Sequence, residues 1–394
     1  MREGWEYKKL GEVCMKITDG SHNPPKGIEH SEYKMISSQN IFDDEIRINS
    51  DNVRFLTEKD FVIEDKRTSL CAGMVLLTIV GTIGRACVIS GNEGKIVLQR
   101  SVAALSAKDK VLPRYLMYCL IGKRDELNIE SHGIAQKGIY LKQLSSLQIP
   151  LPPLTIQQSI VAELDEINNL LSLKRKELET YDKLAQSLFY EMFGDPVENE
   201  KGWEVNKLGD NVHEMFLGPF GSALKVDSYV PASEAYAMVY EQKHAIQATL
   251  FLENHFINEE KYRTLERFEV KGGDFIMSCR GTIGKIYRVP LGSPRGIIHP
   301  SLMKIRIKEN VYDPMFFRFM LEKVVKNQTT KGNCVQMAIT AKELGNKLFP
   351  LPPLSLQQLF ATRIEAIEEQ KANVKTTIEK LETLLAARMQ YWFD

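Results

Sequence analysis

Nothing in this 394-residue chain is apolar for long enough to cross a bilayer as a helix, since no run reaches about 18 apolar residues. Cysteine is sparse. Six are scattered at positions 14, 71, 87, 119, 279 and 334, with no Cys-x-x-Cys pair. That excludes zinc-ribbon spacing and sets an expectation of reduced thiols, with neither disulfides nor zinc. The seven histidines are dispersed, and no His-Glu-x-x-His is present. There is no Gly-x-Ser-x-Gly elbow and no Gly-Lys-Ser/Thr of a phosphate-cradling loop. The start, Met1-Arg2-Glu3-Gly4-Trp5-Glu6, has no apolar stretch, so no signal peptide and a cytoplasmic protein are expected.

Net charge is also missing, with 51 basic and 51 acidic residues. The balance is uneven along the chain, however. Residues 1–150 hold 21 Lys+Arg against 19 Asp+Glu, and 201–350 hold 21 against 16. The stretches 151–200 and 351–394 hold 4 against 10 and 5 against 6. The basic excess therefore sits in two large segments and the acidic excess in the pieces that follow them. Polyanion binding needs local rather than total charge.

What the chain has is a duplication. Gly4-Trp5-Glu6 recurs as Gly202-Trp203-Glu204, and Gly81-Thr82-Ile83-Gly84-Arg85 as Gly281-Thr282-Ile283-Gly284-Lys285. Ile149-Pro150-Leu151-Pro152-Pro153-Leu154 with Gln157-Gln158 recurs as Phe349-Pro350-Leu351-Pro352-Pro353-Leu354 with Gln357-Gln358. The offset is 198 at the first motif and 200 at the others, so two whole domains are repeated rather than a short solenoid unit. Two similar domains in one chain suit a partner with two similar faces, of which duplex DNA is the obvious one.

Each Pro-Leu-Pro-Pro-Leu opens an apolar seam with alternating steps of four and three. The first seam runs Ile160, Leu164, Ile167, Leu171, Lys174, Leu178, Tyr181, Ala185, Leu188, Met192. The second runs Phe360, Ile364, Ile367, Lys371, Val374, Ile378, Leu381, Leu385, Arg388, Trp392. This is coiled-coil spacing, and it predicts two helices of roughly 38 residues, about 57 Å each. Lys174 and Lys371 interrupt the seams, either snorkelling outward or setting register. The simplest partner of each seam is the other, and antiparallel pairing preserves the duplication's two-fold. Between the motifs, Met74–Val80 and Phe275–Ser278 read as buried strands and Leu302–Ile307 as a half-exposed strand. Pro113–Leu120 and Pro314–Leu321 read as helices opened by proline. The expected fold class is α+β: two similar mixed α/β domains joined by two long helices in an antiparallel coiled coil with pseudo-two-fold symmetry.

Catalytic signals are weak. Asn23-Pro24-Pro25 matches part of an adenine methyltransferase site, but Lys26 stands where an aromatic should stack, and no cofactor loop precedes it. Glu64-Asp65-Lys66 and Glu269-Val270-Lys271 match half of a nuclease site without its partner aspartate. No catalytic residue and no metal site is expected. Gly-Thr-Ile-Gly reads either as a phosphate-approaching turn or as a hairpin turn using positive φ, with Arg85 and Lys285 beside it as phosphate contacts.

Taken together these features resemble the specificity subunit, HsdS, of type I restriction–modification systems, over the whole chain. The resemblance rests on Gly-Trp-x-x-x-x-Leu-Gly at Gly4–Gly11 and Gly202–Gly209 and on Gly273-Asp274 leading to Gly281–Gly284, with Met74 replacing the Asp in the first half. It rests also on Pro-Leu-Pro-Pro-Leu-x-x-Gln-Gln, on Gly218-Pro219-Phe220-Gly221-Ser222 and on Met192-Phe193-Gly194-Asp195-Pro196. It implies target recognition domains at 1–152 and 198–352, each reading half of a bipartite DNA site. It implies spacer helices at 153–197 and 353–394 that set the half-site spacing and dock two methyltransferase subunits, with restriction subunits joining the complex. S-adenosylmethionine, ATP and Mg would belong to those partners and none to this chain. A stand-alone DNA methyltransferase and a protein-binding coiled-coil scaffold are the alternatives.

The family fixes no base-reading residues by motif, so the candidate DNA contacts come from polar loops, which are rich in the side chains that read base edges. In the first half they are Ser21, His22, Asn23, Lys26, Gln39, Asn40, Arg85, Gln136 and Lys137. In the second they are Ser222, Lys225, Tyr240, Gln242, Lys243, Arg280, Lys285, Asn333 and Gln336.

Overall fold

The computed structural model describes residues 5–131, 138–330 and 339–393. It divides into two units, Met1–Lys176 with Lys375–Asp394, and Glu177–Val374, so the division cuts each long helix.

In the first unit a four-stranded antiparallel sheet runs Cys14–Asp19, Val102–Ala107, Val75–Thr78, Ala86–Val88. Its strands alternate between two cores, as a period of two requires. Val75, Leu77, Ala103 and Leu105 pack on Tyr115, Leu116 and Leu120 of the helix Pro113–Gly122. Met74, Leu76, Val102 and Ala104 face Ile36 and Leu98. Burial on both faces is why Met74–Val80 is apolar at every position but Thr78. A second sheet orders Arg54–Phe55, Lys34–Ile36 and Ile96–Leu98, the last two strands parallel. Glu6–Lys9 pairs with Gln148–Leu151, closing the unit where the long helix begins.

The second unit repeats this order. Its sheet runs Val212–Leu217, Leu302–Ile307, Phe275–Ser278, Ile286–Arg288. A second sheet joins Phe256–Ile257, Ala237–Tyr240, Gly296–Ile298 and Glu269–Val270. Val205–Lys207 pairs with Leu348–Pro350. One strand differs from expectation. Leu302–Ile307 is buried at every residue but the part-buried Arg306 rather than half exposed, and Lys304, only 2% exposed, lies on its inner face. The period-two pattern is real, but the polar side meets a charge cluster in which Lys304 and Asp274 are buried and Glu214 and Arg306 form the partly exposed rim. Lys304 donates to Glu214 (2.6 Å) and to the Glu269 carbonyl (2.8 Å), while Arg306 binds Asp274 at 2.6 and 2.8 Å.

The long helices span Leu154–Phe193 and Leu354–Phe393, 40 residues each. Proline before each start and Gly194 at φ +74° after the first are ordinary start and stop chemistry. Ile160, Leu164, Ile167, Leu171, Phe360, Ile364, Ile367 and Val374 are buried, as the seams require. The pairing is antiparallel within each unit. In the first, Arg388 binds Glu163 and Arg175 binds Glu382 (2.8 Å). In the second, Lys371 binds Asp182 (2.8 Å) and Arg363 reaches the Met192 sulfur (3.9 Å). Lys371 thus ion-pairs with the facing helix rather than snorkelling into water. Burial opposes its charge, but Asp182 and Glu368 outweigh that and raise its pKa.

Each domain core receives the start of one long helix and the end of the other. Ile160, Leu164 and Phe393 share the first core; Phe360, Ile364, Phe189 and Phe193 share the second. The tryptophans of the Gly-Trp motifs sit at these joints. Trp5 stacks on Trp392 with centroids 6.3 Å apart, and the Trp203 indole donates to the Phe193 carbonyl (2.9 Å). The repeated glutamine has the same task in both units. Gln157 accepts from the Leu112 amide and donates to the Lys110 and Pro152 carbonyls, and Gln357 accepts from the Asp313 amide and donates to those of Val311 and Pro352. Buried and fully satisfied, each amide ties a long helix to the loop before the proline-opened helix.

Candidate nucleic-acid interface

In both units three loops meet at one turn. In the first the turn is Gln99–Ser101. Arg100 donates its amide to the Ser21 carbonyl, Gln99 to that of Ile36, and Ile79 donates to the Ser101 carbonyl. In the second the turn is His299–Ser301. Gly218 donates to Leu302, His299 to Tyr240 and Cys279 to Ser301. The loops gathered are thus 20–26, 37–47 and 79–85 in one unit, and 218–225, 241–254 and 279–285 in the other. The close approach demands glycine at the same place in each. A Cβ at Gly20 would lie 2.1 Å from the Leu98 carbonyl oxygen, and one at Gly218 2.2 Å from that of His299.

The Gly-Thr-Ile-Gly segment is a hairpin turn. Gly81 and Gly84 have φ +82° and +84°, and Gly281 and Gly284 +66° and +80°. The amides of Gly84 and Gly284 are spent on the Thr78 and Ser278 carbonyls (3.0 and 2.8 Å). Those of Arg85 and Lys285 go to the Thr78 and Ser278 hydroxyls (2.9 Å each). These amides are committed within the turn, so the hairpin reading accounts for the glycines, and cationic side chains follow.

The candidate residues divide by accessibility. His22, Asn23, Lys26 and Gln39 in the first unit are exposed, as are Ser222, Lys225, Arg280 and Lys285 in the second. His22 is held by Asp19 (2.7 Å), which also takes Arg67 (2.6 Å). Arg85 is half-buried, its guanidinium carbon 4.8 Å from the Phe42 ring centre. Gln242 and Lys243 are half-buried. Gln242 donates to the Arg280 carbonyl (2.7 Å), which ties two loops together, and Lys243 binds Glu241 (2.9 Å). Gln136, Lys137, Asn333 and Gln336 lie outside the described residues.

Three candidates are corrected by burial. The Ser21 hydroxyl donates inward to Glu64 (3.0 Å). Asn40, with no exposed surface, accepts from the Ser37 amide and donates to the Arg47 and Asn52 carbonyls. Tyr240, equally buried, donates to the Pro294 carbonyl. Their polar atoms shape the loops. Polarity in a loop marks them in sequence, but a short polar side chain serves a turn as readily as a ligand.

Other residues at the site escaped the sequence reading. Gln99 and Arg100 form the first central turn. Their counterpart His299 takes the Ser301 amide on Nδ1 (3.2 Å), which puts the proton of the neutral ring on Nε2. Burial lowers the His299 pKa, keeping that neutral form. Phe220, which the sequence marks only as part of the Gly218–Ser222 motif, is 88% exposed in the loop after Gly218. The available signal was position, since residues 99–101 and 299–301 immediately precede the matching central strands.

Comparison with known proteins matches the description "Type I restriction modification DNA specificity domain" at residues 2–180 and 236–383. The chain is 24% identical over 393 residues to a Methanocaldococcus jannaschii protein assigned as the MjaX type I restriction enzyme specificity subunit, covering 96% of this chain and 91% of that one. It is 25% identical over 327 residues to the EcoBI specificity subunit of Escherichia coli, covering 75% and 69%. Among solved structures, a chain of a type I R-M system superposes with TM-score 0.65 at 16% identity, covering 100% of this chain and 98% of that one. The S subunit from M. genitalium gives 0.53 at 14%, covering 99% and 96%. The repeated frame, the antiparallel helix pairs within the units and these matches lead to one conclusion: the chain belongs to the family of type I restriction–modification DNA specificity subunits.

Proposed function

We propose that each unit reads one half of a bipartite DNA site through the loops gathered at Gln99–Ser101 and at His299–Ser301. The supporting observation is that the frame repeats while these loops differ. Between the matching strands the first unit places the hairpin Ile41–Phe42/Glu45–Ile46, and the second the helix Gln242–Gln247. A constant frame with unlike loops is what two unlike half-sites require. Exposed His22, Asn23, Lys26, Gln39, Ser222, Lys225, Arg280 and Lys285, with Arg85, Gln242 and Lys243, supply the contacts. Cationic side chains add affinity through phosphates, and amides and guanidiniums read base edges.

The long helices set the half-site spacing and dock two methyltransferase subunits, with restriction subunits joining through that complex. Catalysis belongs to those partners, as do S-adenosylmethionine, ATP and Mg, and this chain acts as the non-catalytic specificity component. The glutamates that raised the nuclease alternative are engaged elsewhere. Glu64 takes the Ser21 hydroxyl, and Glu269 is shared by Tyr262 (2.8 Å) and Lys271 (3.1 Å). Sequencing the host methylome with and without the gene tests the proposal. Loss of one bipartite methylated motif is expected; an unchanged methylome would overturn it.

A further inference from the structure

Among the described residues, the first unit contains a feature for which the second has no equivalent. The tip of its hairpin, Asp43-Asp44, is gripped by two arginines. Arg114 binds Asp44 through both terminal nitrogens (2.9 and 2.8 Å), and the same guanidinium binds Asp165 of the long helix (3.0, 2.9 and 2.5 Å). Tyr118 and Asn168 extend the network, Tyr118 donating to Asp165 (2.6 Å) and Asn168 to the Tyr118 oxygen (3.1 Å). Arg124 binds Asp43 at 2.5 and 2.6 Å and donates to the Gly84 carbonyl (3.1 Å). One arginine thus joins the hairpin to the long helix, and the other joins the hairpin to the turn that carries Arg85. Beside Asp43 stands Phe42, whose ring centre lies 4.8 Å from the Arg85 guanidinium and 4.1 Å from that of Arg47. Arg47 is paired with Glu45 (2.7 Å), whereas among the described residues no carboxylate pairs with Arg85.

At the matching places of the second unit stand Met315, Phe319, Val325 and Glu365 for Arg114, Tyr118, Arg124 and Asp165. The equivalence is geometric as well. A Cβ on Gly84 would meet the Arg124 side chain (2.7 Å), and one on Gly284 would meet that of Val325 (2.7 Å). Lys285, the partner of Arg85, is exposed.

We infer that Arg114 and Arg124 are positioning residues that latch the Ile41–Ile46 hairpin and the Gly81–Gly84 turn, and that through Phe42 they hold Arg85 in one orientation to read a base edge, guanine in the first instance. A phosphate contact needs charge and tolerates a mobile side chain, as Lys285 supplies. A guanidinium stacked on a ring and seated between anchored loops is a pre-set fork, and the fork's two-point match is to O6 and N7 of guanine. Arg85 therefore departs from the phosphate role that its place after a glycine turn implies. The inference rests on the reading of these loops as the DNA interface.

The test uses the full chain expressed with its methyltransferase partner, with methylome sequencing as readout. Arg85→Ala is expected to relax one position in one half of the motif. Asp43→Asn, nearly isosteric at an exposed side chain, and Arg114→Lys are expected to relax that same position, with the methylated fraction at fully matched sites falling about tenfold for one lost charge-assisted bond. The other half of the motif stays unchanged and serves as the internal control for folding. Hydrogen exchange on the same chain without DNA is expected to accelerate about tenfold at the Asp44 amide in Asp43→Asn. Uniform weakening at all sites by Arg85→Ala, with no relaxed position, would overturn the base-reading role. Loss of both half-sites in Asp43→Asn would overturn the confinement to one unit, and unchanged exchange would overturn the latch. A wild-type complex with no bipartite motif would reject the interface reading itself, and exchange would still decide the latch.

Discussion

In the second unit the inner face of the central sheet carries Asp274, Lys304 and Arg306 beside Glu214, while the matching positions of the first hold Met74, Ala104, Ser106 and Lys16. In the first unit Met74 and Ala104 are plain core, and Lys16 reaches the Arg67 and Thr68 carbonyls (3.0 Å each) to cap the helix Glu58–Thr68. The contrast reverses one layer away. On the outer face the first unit has the Arg114 network, and the second has Met315, Phe319 and Val325 at the matching places, with Phe319 packed on Phe189 and Phe360 at ring-centre distances of 6.1 and 5.2 Å. One backbone frame therefore accepts charge or hydrocarbon at the same site, provided every buried charge finds its partner. What the two units keep in common is the joints: the glutamines, the glycine turns and the aromatic helix ends.

The largest expected effects test those joints. Phe193→Ala and Phe393→Ala each remove a buried ring and should cost about 3–5 kcal/mol. The damage should be local and crossed. Hydrogen exchange should show Val212–Leu217 loosened by the first change and Val102–Ala107 by the second. Equal loosening of both units by either variant would break the assignment of each helix end to one core.

The charge cluster comes next. Asp274→Met alone leaves Arg306 and Lys304 short of a carboxylate in a buried setting, and should cost about 3–5 kcal/mol in chemical denaturation. Adding Lys304→Ala, Arg306→Ser and Glu214→Lys, the residues of the first unit, should recover most of it. Failure to recover would mean the second frame depends on its charges. Smaller and equal losses, about 1–3 kcal/mol, are expected for Gln157→Ala and Gln357→Ala, since each strands the same three backbone groups. A clear inequality in denaturation midpoints would show that the joints are not equivalent.

The smallest effect is on pH. The hydrogen bond from Lys304 holds the Glu214 pKa below its ordinary 4.5 despite partial burial. A carboxylate with a depressed folded pKa stabilises above its unfolded value, and that contribution is lost as pH falls through the folded one. Glu214→Gln should therefore flatten the acid side of a thermal-midpoint profile taken over roughly pH 6 to 3. An unchanged slope would remove Glu214 from the cluster's energetics.

How much of this was legible in the sequence depends on how local the signal is. The long helices were legible because a 3–4 seam needs only its own residues, and their antiparallel pairing followed from the duplication. The buried pairing of Lys304 and Asp274 was not, because a lysine in an alternating strand looks solvent-facing until its three partners, remote in sequence, are brought beside it. Phe189 and Phe193 fell outside the seam because they pack into the second domain core, against Phe316 of that domain as well as Phe360 of the facing helix. At the interface the polar loops were legible, but Asn40 and Tyr240 looked like readers while serving as framework, and the close approach at Gly20 and Gly218 showed only in the structure. Arg114 gave no signal at all, since its partners Asp44 and Asp165 lie on separate elements.

The central claim is that two like frames read two unlike half-sites independently. The most direct measurement is methylome sequencing after residues 205–350 are replaced by the corresponding domain of a relative with a different target. The account predicts a methylated motif with one half exchanged and the other retained. A motif altered in both halves, or in neither, would contradict it.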